Sequence, residues 1–184
     1  MTHTTRYALD ADGGPENGPL YMNSSPDHYN ANHQWYVEAH PRIDERFPLI
    51  ITSILTRRTA LDANGGQGGP YLSLNPDFDN INHRWIVVPR HYPADVEHVT
   101  DFEQYCALVT NKPVFIISKV GPCVLNANVG QGPPKLDQIP DWNINVNLES
   151  IPDLLLINHI WRLAPISQDD FDLECMITWP GSDR

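Results

Sequence analysis

Three asparagines stand in one context: Asn32 in "NHQW", Asn82 in "NHRW" and Asn158 in "NHIW". An Asn side chain offers donor and acceptor together, and an Asp carboxylate is a strong bidentate acceptor. Such a partner lies upstream of each Asn: Asp10, Asp62 and, in the third case, the amide Asn126. Fixed donors and acceptors are what the vicinal hydroxyls of a carbohydrate require. Asn is equally suited to turns, where its side chain bonds its own backbone, and both uses fit these positions. His33, His83 and His159 follow the asparagines, and three equivalent histidines raise the question of a metal. No HExxH motif or Cys/His cluster accompanies them, so no metal site is expected. A His two residues before a Trp can instead bond backbone and pin a turn. The oxygen-rich "DADGG" and "DANGG" fall short of a calcium shell and read as tight turns with Gly at positive φ. With no GxSxG, no GxGxxG and no Cys-His pair that can be placed, no catalytic residue and no cofactor are expected.

These residues belong to a longer repeat. Each copy has Leu-[Asp/Asn]-Ala-[Asp/Asn], a Gly-rich turn, an apolar pair, Pro-Asp with an aromatic, then Asn-His-x-Trp. The aromatics are Tyr29, Phe78 and Trp142. Trp35, Trp85 and Trp161 read as core residues, each needing one partner for its indole N–H. The third copy carries an insertion near "NVNLESIPDL", and the second near "RHYPADVEHVTDFEQY". Within the latter, "PADVEHVTDFEQYCALV" is the one stretch that suggests a helix.

Short β-like segments of the "ALDA", "YLSL" and "WIVV" types recur between turn signals. A fourth type, "PLIITSI" and "PVFIISKV", precedes copies two and three. Its counterpart for copy one is "LECMITWP", near the other end of the chain. The expectation is an all-β protein of three four-stranded repeats around a closed, pseudo-threefold barrel, the β-trefoil. Closure removes exposed strand edges. The order is circularly permuted, with "CMITW" pairing beside "RYALDA". Repeat one covers about 1–40 plus 172–184, repeat two about 47–92 and repeat three about 113–166, within a single domain over 1–184.

The 184 residues suffice for a core without staples. A formal net charge of −11 disfavours nucleic acid and anionic membrane surfaces as partners. The apolar stretches are too short for membrane insertion. Cys106, Cys123 and Cys175 form no CxxC pair and read as free buried thiols of a reducing compartment. The N-terminal "MTHTTRYALD" lacks the apolar core of a signal peptide, so a cytoplasmic location is expected.

The "LDANGGQGG…NINHRW" pattern resembles the signature of ricin-B-like (R-type) β-trefoil lectins, in particular the soluble, cysteine-poor lectins of mushrooms. The resemblance spans nearly the whole chain. It departs at His33, His83 and His159, where the family usually has Gln. It departs again at Asn23 and Ser73, where the family commonly has an aromatic about twelve residues before the Trp. It implies a non-catalytic carbohydrate-binding protein whose partners are glycans or glycoproteins. It implies sugar contacts from Asp10 with Asn32 and from Asp62 with Asn82. Tyr29 and Phe78 are the candidate stacking platforms, or else they pack beneath their own loop. A weaker third site is expected at Asn126, Trp142 and Asn158, because Asn126 replaces the acid. Fungal β-trefoil protease inhibitors are a sister resemblance. They would make the partner a protease, reached through an inserted loop. A homo-oligomer stays open.

Overall fold

The computed structural model describes residues 7–13, 18–39, 49–54, 59–90, 101–121, 123–130, 132–138, 157–168 and 172–179. Trp142 and the inserted segments 91–100 and 145–154 lie outside them. The chain forms β1 (Tyr7–Asp10), β2 (Tyr21–Asn23), β3 (Gln34–Ala39), β4 (Leu49–Ser53), β5 (Thr59–Asp62), β6 (Tyr71–Leu74) and β7 (Trp85–Pro89). Helix α1 (Phe102–Val109) follows, then β8 (Val114–Ser118), β9 (Cys123–Asn126), β10 (Lys135–Gln138), β11 (Arg162–Gln168) and β12 (Asp172–Trp179). The strands make one twelve-stranded antiparallel sheet.

Six strands close into a ring. β12 pairs β3, β3 pairs β4, β4 meets β7 and β7 pairs β8. β8 meets β11 through reciprocal Val114 and Trp161 backbone bonds, and β11 pairs β12. The ring has threefold register: Cys175 faces Trp35, Leu49 faces Trp85 and Val114 faces Trp161. On the other side Trp35 faces Ser53 and Trp85 faces Ser118. Ser53 is therefore the counterpart of Ser118. The hairpins β1–β2, β5–β6 and β9–β10 complete the trefoil. β12 pairs β1, Tyr7 opposite Trp179 and Ala8 opposite Thr178. The last strand thus stands where β4 and β8 stand for their hairpins, and the order is circularly permuted.

The β-branched runs "LIITS" and "VFIIS" are buried throughout and suit a fully covered pleated surface. Trp35, Trp85 and Trp161 are fully buried in the core. Each indole N–H donates to the carbonyl of its own unit's leucine: Leu9 at 3.1 Å, Leu61 at 2.9 Å and Leu125 at 2.9 Å. That bond fastens the hairpin of each unit to the barrel.

Helix α1 interrupts the β7–β8 connection. Asp101 caps it by accepting the Gln104 amide at 2.8 Å. Phe102, Tyr105, Cys106 and Val109, at helical spacing, bury one face in the main core. Tyr105 donates to the Val87 carbonyl at 2.6 Å, and the Asn111 amide donates to Leu163 at 2.8 Å. The helix therefore ties β7 to β11. All three cysteines are free and buried. Burial pushes the Cys106 thiol up to about 12, and Cys123 and Cys175 upward as well.

Candidate functional site

Each unit carries one polar assembly outside its Trp. In unit two, Asp62 ends β5, and its Oδ1 accepts the Asn64 amide at 2.7 Å. This holds the turn in which Asn64 and Gly65 adopt positive φ. Asp62 Oδ2 lies 3.2 Å from His83 Nε2. His83 Nδ1 accepts the Asp77 amide at 3.1 Å, so the ring proton sits on Nε2 and donates to Asp62. The histidine pins two loops at once, in the backbone-bonding role its place before the Trp suggests. Tyr71, opposite Asp62 in the hairpin, also donates to the carboxylate. Burial, then the Asp62 charge and that bond, pushes the Tyr71 phenol above its ordinary value.

Asn82 stands in a short 3-10 turn capped by Asn80, whose side chain accepts the Asn82 amide at 3.0 Å. Its Oδ1 accepts the Gly65 amide at 3.0 Å. The polar candidates Asp62 and Asn82 are thus brought to one turn. Phe78 is half-buried in the adjoining loop, held there by the Arg84 Nε–H on its carbonyl.

Unit one repeats the turn, histidine and amide bonds. Asp10 Oδ1 accepts the Asp12 amide at 2.8 Å, and Oδ2 meets His33 Nε2 at 3.1 Å. Asn32 Oδ1 accepts the Gly13 amide at 3.1 Å. Asn23 replaces the tyrosine as the extra donor to Asp10 Oδ2, at 3.0 Å. Tyr29 is 84% exposed, its ring 3.9 Å from that of His28. Its loop is fixed by Asp27 Oδ1, which accepts the Tyr29 amide at 2.9 Å, and by Gln34, which bonds the His28 carbonyl at 2.5 Å. The acids themselves are withdrawn: the side chains of Asp10 and Asp62 are 12% and 3% exposed. The three histidines bond three separate acids, and no metal-holding cluster of His, Cys, Asp and Glu occurs among the described residues.

Unit three is wired differently. Asn126 keeps the turn, its Oδ1 accepting the Asn128 amide at 2.6 Å. The acid comes from the facing strand: Asp137 Oδ2 lies 2.9 Å from His159 Nε2 and 2.5 Å from Asn126 Nδ2. By register, Asp137 occupies the position of Asn23 and Ser73. Acid and amide have exchanged strands between units one and three. Asp137 was not singled out from the sequence, though aligning "YMN", "YLS" and "KLD" places it. Burial pushes the Asp137 carboxyl up. The bonds from His159 and Asn126, with the charges of His159 and Lys135 nearby, outweigh this and leave it below its ordinary value. The Gly13 and Gly65 position is Val129, at φ 50°, an unfavourable conformation for a β-branched residue. Asn158 Oδ1 is buried with no hydrogen-bond partner among the described residues.

Solved structures share this architecture. The designed threefold-symmetric protein ThreeFoil aligns with a TM-score of 0.52 at 12% identity, over 87% of this chain and 98% of that one. A mosquitocidal holotoxin aligns with a TM-score of 0.51 at 10% identity, over 96% of this chain but 18% of the toxin. The fold is a β-trefoil. No protein-family model matches the sequence, and no curated protein matches it significantly.

Proposed function

We propose that the protein is a non-catalytic carbohydrate-binding module, a lectin, using shallow sites on the trefoil units. The observation that carries this reading is the repetition of a polar assembly at the surface end of the units, outside the tryptophan that fastens each hairpin. The Trp-to-leucine bond already fastens each hairpin. Beyond it, units one and two place an Asp–His pair, an Asn amide and an aromatic loop around one turn. Asn32 and Asn82 have their oxygens engaged by backbone, which orients the Nδ2 donors. Tyr29 offers an exposed ring on a fixed loop, suited to the C–H face of a sugar. Single sites of this kind bind weakly, and several on one body supply avidity.

The alternative partner, a protease, would be met by an inserted loop. The described part of the second insertion is helix α1, whose apolar face is buried against the barrel. That favours a structural use for this part of the insertion. A glycan array run beside inhibition assays on papain-like and trypsin-like proteases separates the two readings. Retention of defined glycans without inhibition is expected. Nanomolar inhibition with no glycan retained would overturn the lectin reading.

A further inference from the structure

We propose that the carboxylate which meets a glycan directly is Asp137 of unit three, and that Asp10 and Asp62 act as positioning residues. The inference rests on the carbohydrate-binding reading and specifies which unit supplies its acid.

The argument is a count of oxygen atoms. In unit one, Asp10 holds the turn with Oδ1 and accepts from His33 and Asn23 with Oδ2. In unit two, Asp62 holds the turn with Oδ1 and meets His83 with Oδ2. A single residue does both tasks, and both oxygens are engaged in a side chain nearly closed to solvent. Unit three divides the tasks. Asn126 holds the turn, and Asp137 meets His159 and Asn126 through Oδ2 alone. Asp137 Oδ1 has no hydrogen-bond partner among the described residues, and its side chain is 42% exposed.

A second, independent feature flanks the same histidine. Asn32 and Asn82 direct Oδ1 to the Gly13 and Gly65 amides, whereas Asn158 Oδ1 has no such partner. A buried amide oxygen without a donor is unfavourable, and a ligand donor relieves it. Unit three thus offers an open carboxylate oxygen on Asp137 and, beside His159 in sequence, a buried amide oxygen that still lacks a donor. The open carboxylate oxygen takes a hydroxyl donor, the chemistry that a pyranose ring supplies. Only the carboxylate is charge-assisted, so it dominates the affinity.

The test uses the full chain and the glycan it retains best on an array. Asp137→Asn is expected to weaken binding about tenfold, the equivalent of one charge-assisted hydrogen bond. Asp10→Asn and Asp62→Asn, with folding checked by circular dichroism, are expected to weaken it less than about threefold. In the unaltered protein, titration with the same glycan is expected to shift the His159 ring resonances further than those of His83. That readout stands even where a variant fails to fold. Binding that survives Asp137→Asn, or a shift at His83 at least as large as that at His159, overturns the assignment and leaves the lectin reading intact. A chain that retains no glycan overturns both.

Discussion

Units two and three hold the same histidine against a carboxylate, yet they take the acid from opposite strands of the hairpin. In unit two it ends β5 and is sealed in. In unit three it stands on β10, half in solvent. The Trp, the histidine and the turn keep their places in both. What the trefoil fixes is therefore a location for negative charge next to His Nε2, not a residue number in the repeat. Two diagonal positions on the paired strands of a hairpin can exchange acid and amide, because their side chains bond each other. The exchange has a consequence: one arrangement is a clasp, and the other is a clasp with an oxygen left over.

The sharpest way to break this comparison is to remove the histidine from each unit. His83→Ala strands a sealed carboxylate and frees the Asp77 amide, and about 3 kcal/mol of stability is expected to go. His159→Ala leaves an acid that water can reach, and a loss of about 1 kcal/mol is expected. Urea denaturation of both variants checks this, and equal losses would erase the distinction between the units.

The exchange itself can be taken apart. Asn126→Asp sets two carboxylates where an amide and an acid now lie 2.5 Å apart. One of them is then held above its usual range, so a loss of about 2 kcal/mol is expected at neutral pH. That loss is relieved as the pH falls through the raised value. Adding Asp137→Asn restores the pattern of Asp10 and Asn23 and is expected to recover the stability. A double variant as weak as the single would show that the strands are not interchangeable.

A smaller difference concerns the turn. Val129→Gly removes a left-handed β-branched residue, and a gain of about 1 kcal/mol is expected. The reverse change, Gly65→Val, is expected to cost unit two a similar amount. Thermal melts of both distinguish turn chemistry from acid placement.

The smallest effect is the acid titration of unit three. Asp137 is held below its ordinary value in the folded chain. Its contribution is therefore present above the unfolded carboxylate pKa and lost as pH falls through the lower folded value. With its partial exposure, the contribution is expected to be under about 1 kcal/mol. The melting-temperature gap between the wild type and Asp137→Asn should narrow below pH ~4.

The barrel was legible because its signals are local and repeated. Asn-His-x-Trp marks the core tryptophan, and apolar runs of matching length mark the strands on either side. Even the permuted pairing of "CMITW" beside "RYALDA" was expected from the segment that copy one lacks, and Tyr7 and Ala8 lie opposite Trp179 and Thr178. The helix within the second insertion was legible from its apolar periodicity and lies at Phe102–Val109. The site was legible only in part. Asp10, Asn32, Asp62 and Asn82 come together as the repeats suggest. What spacing cannot convey is how many bonds each oxygen makes, and so the sealing of Asp62 was hidden. Asp137 was hidden because its partner lies across a hairpin, where register, not distance along the chain, sets the neighbour.

The seam between β1 and β12 also bears on the order of events in folding. Residue 60 finds residue 52 across a short loop, whereas residue 8 must find residue 178. Closing the longer loop in an unfolded chain costs about 3 kcal/mol more. That penalty shrinks once the intervening strands have assembled and brought the two ends near each other. Units two and three are thus the natural nucleus, and unit one is assembled upon them as the final act of folding.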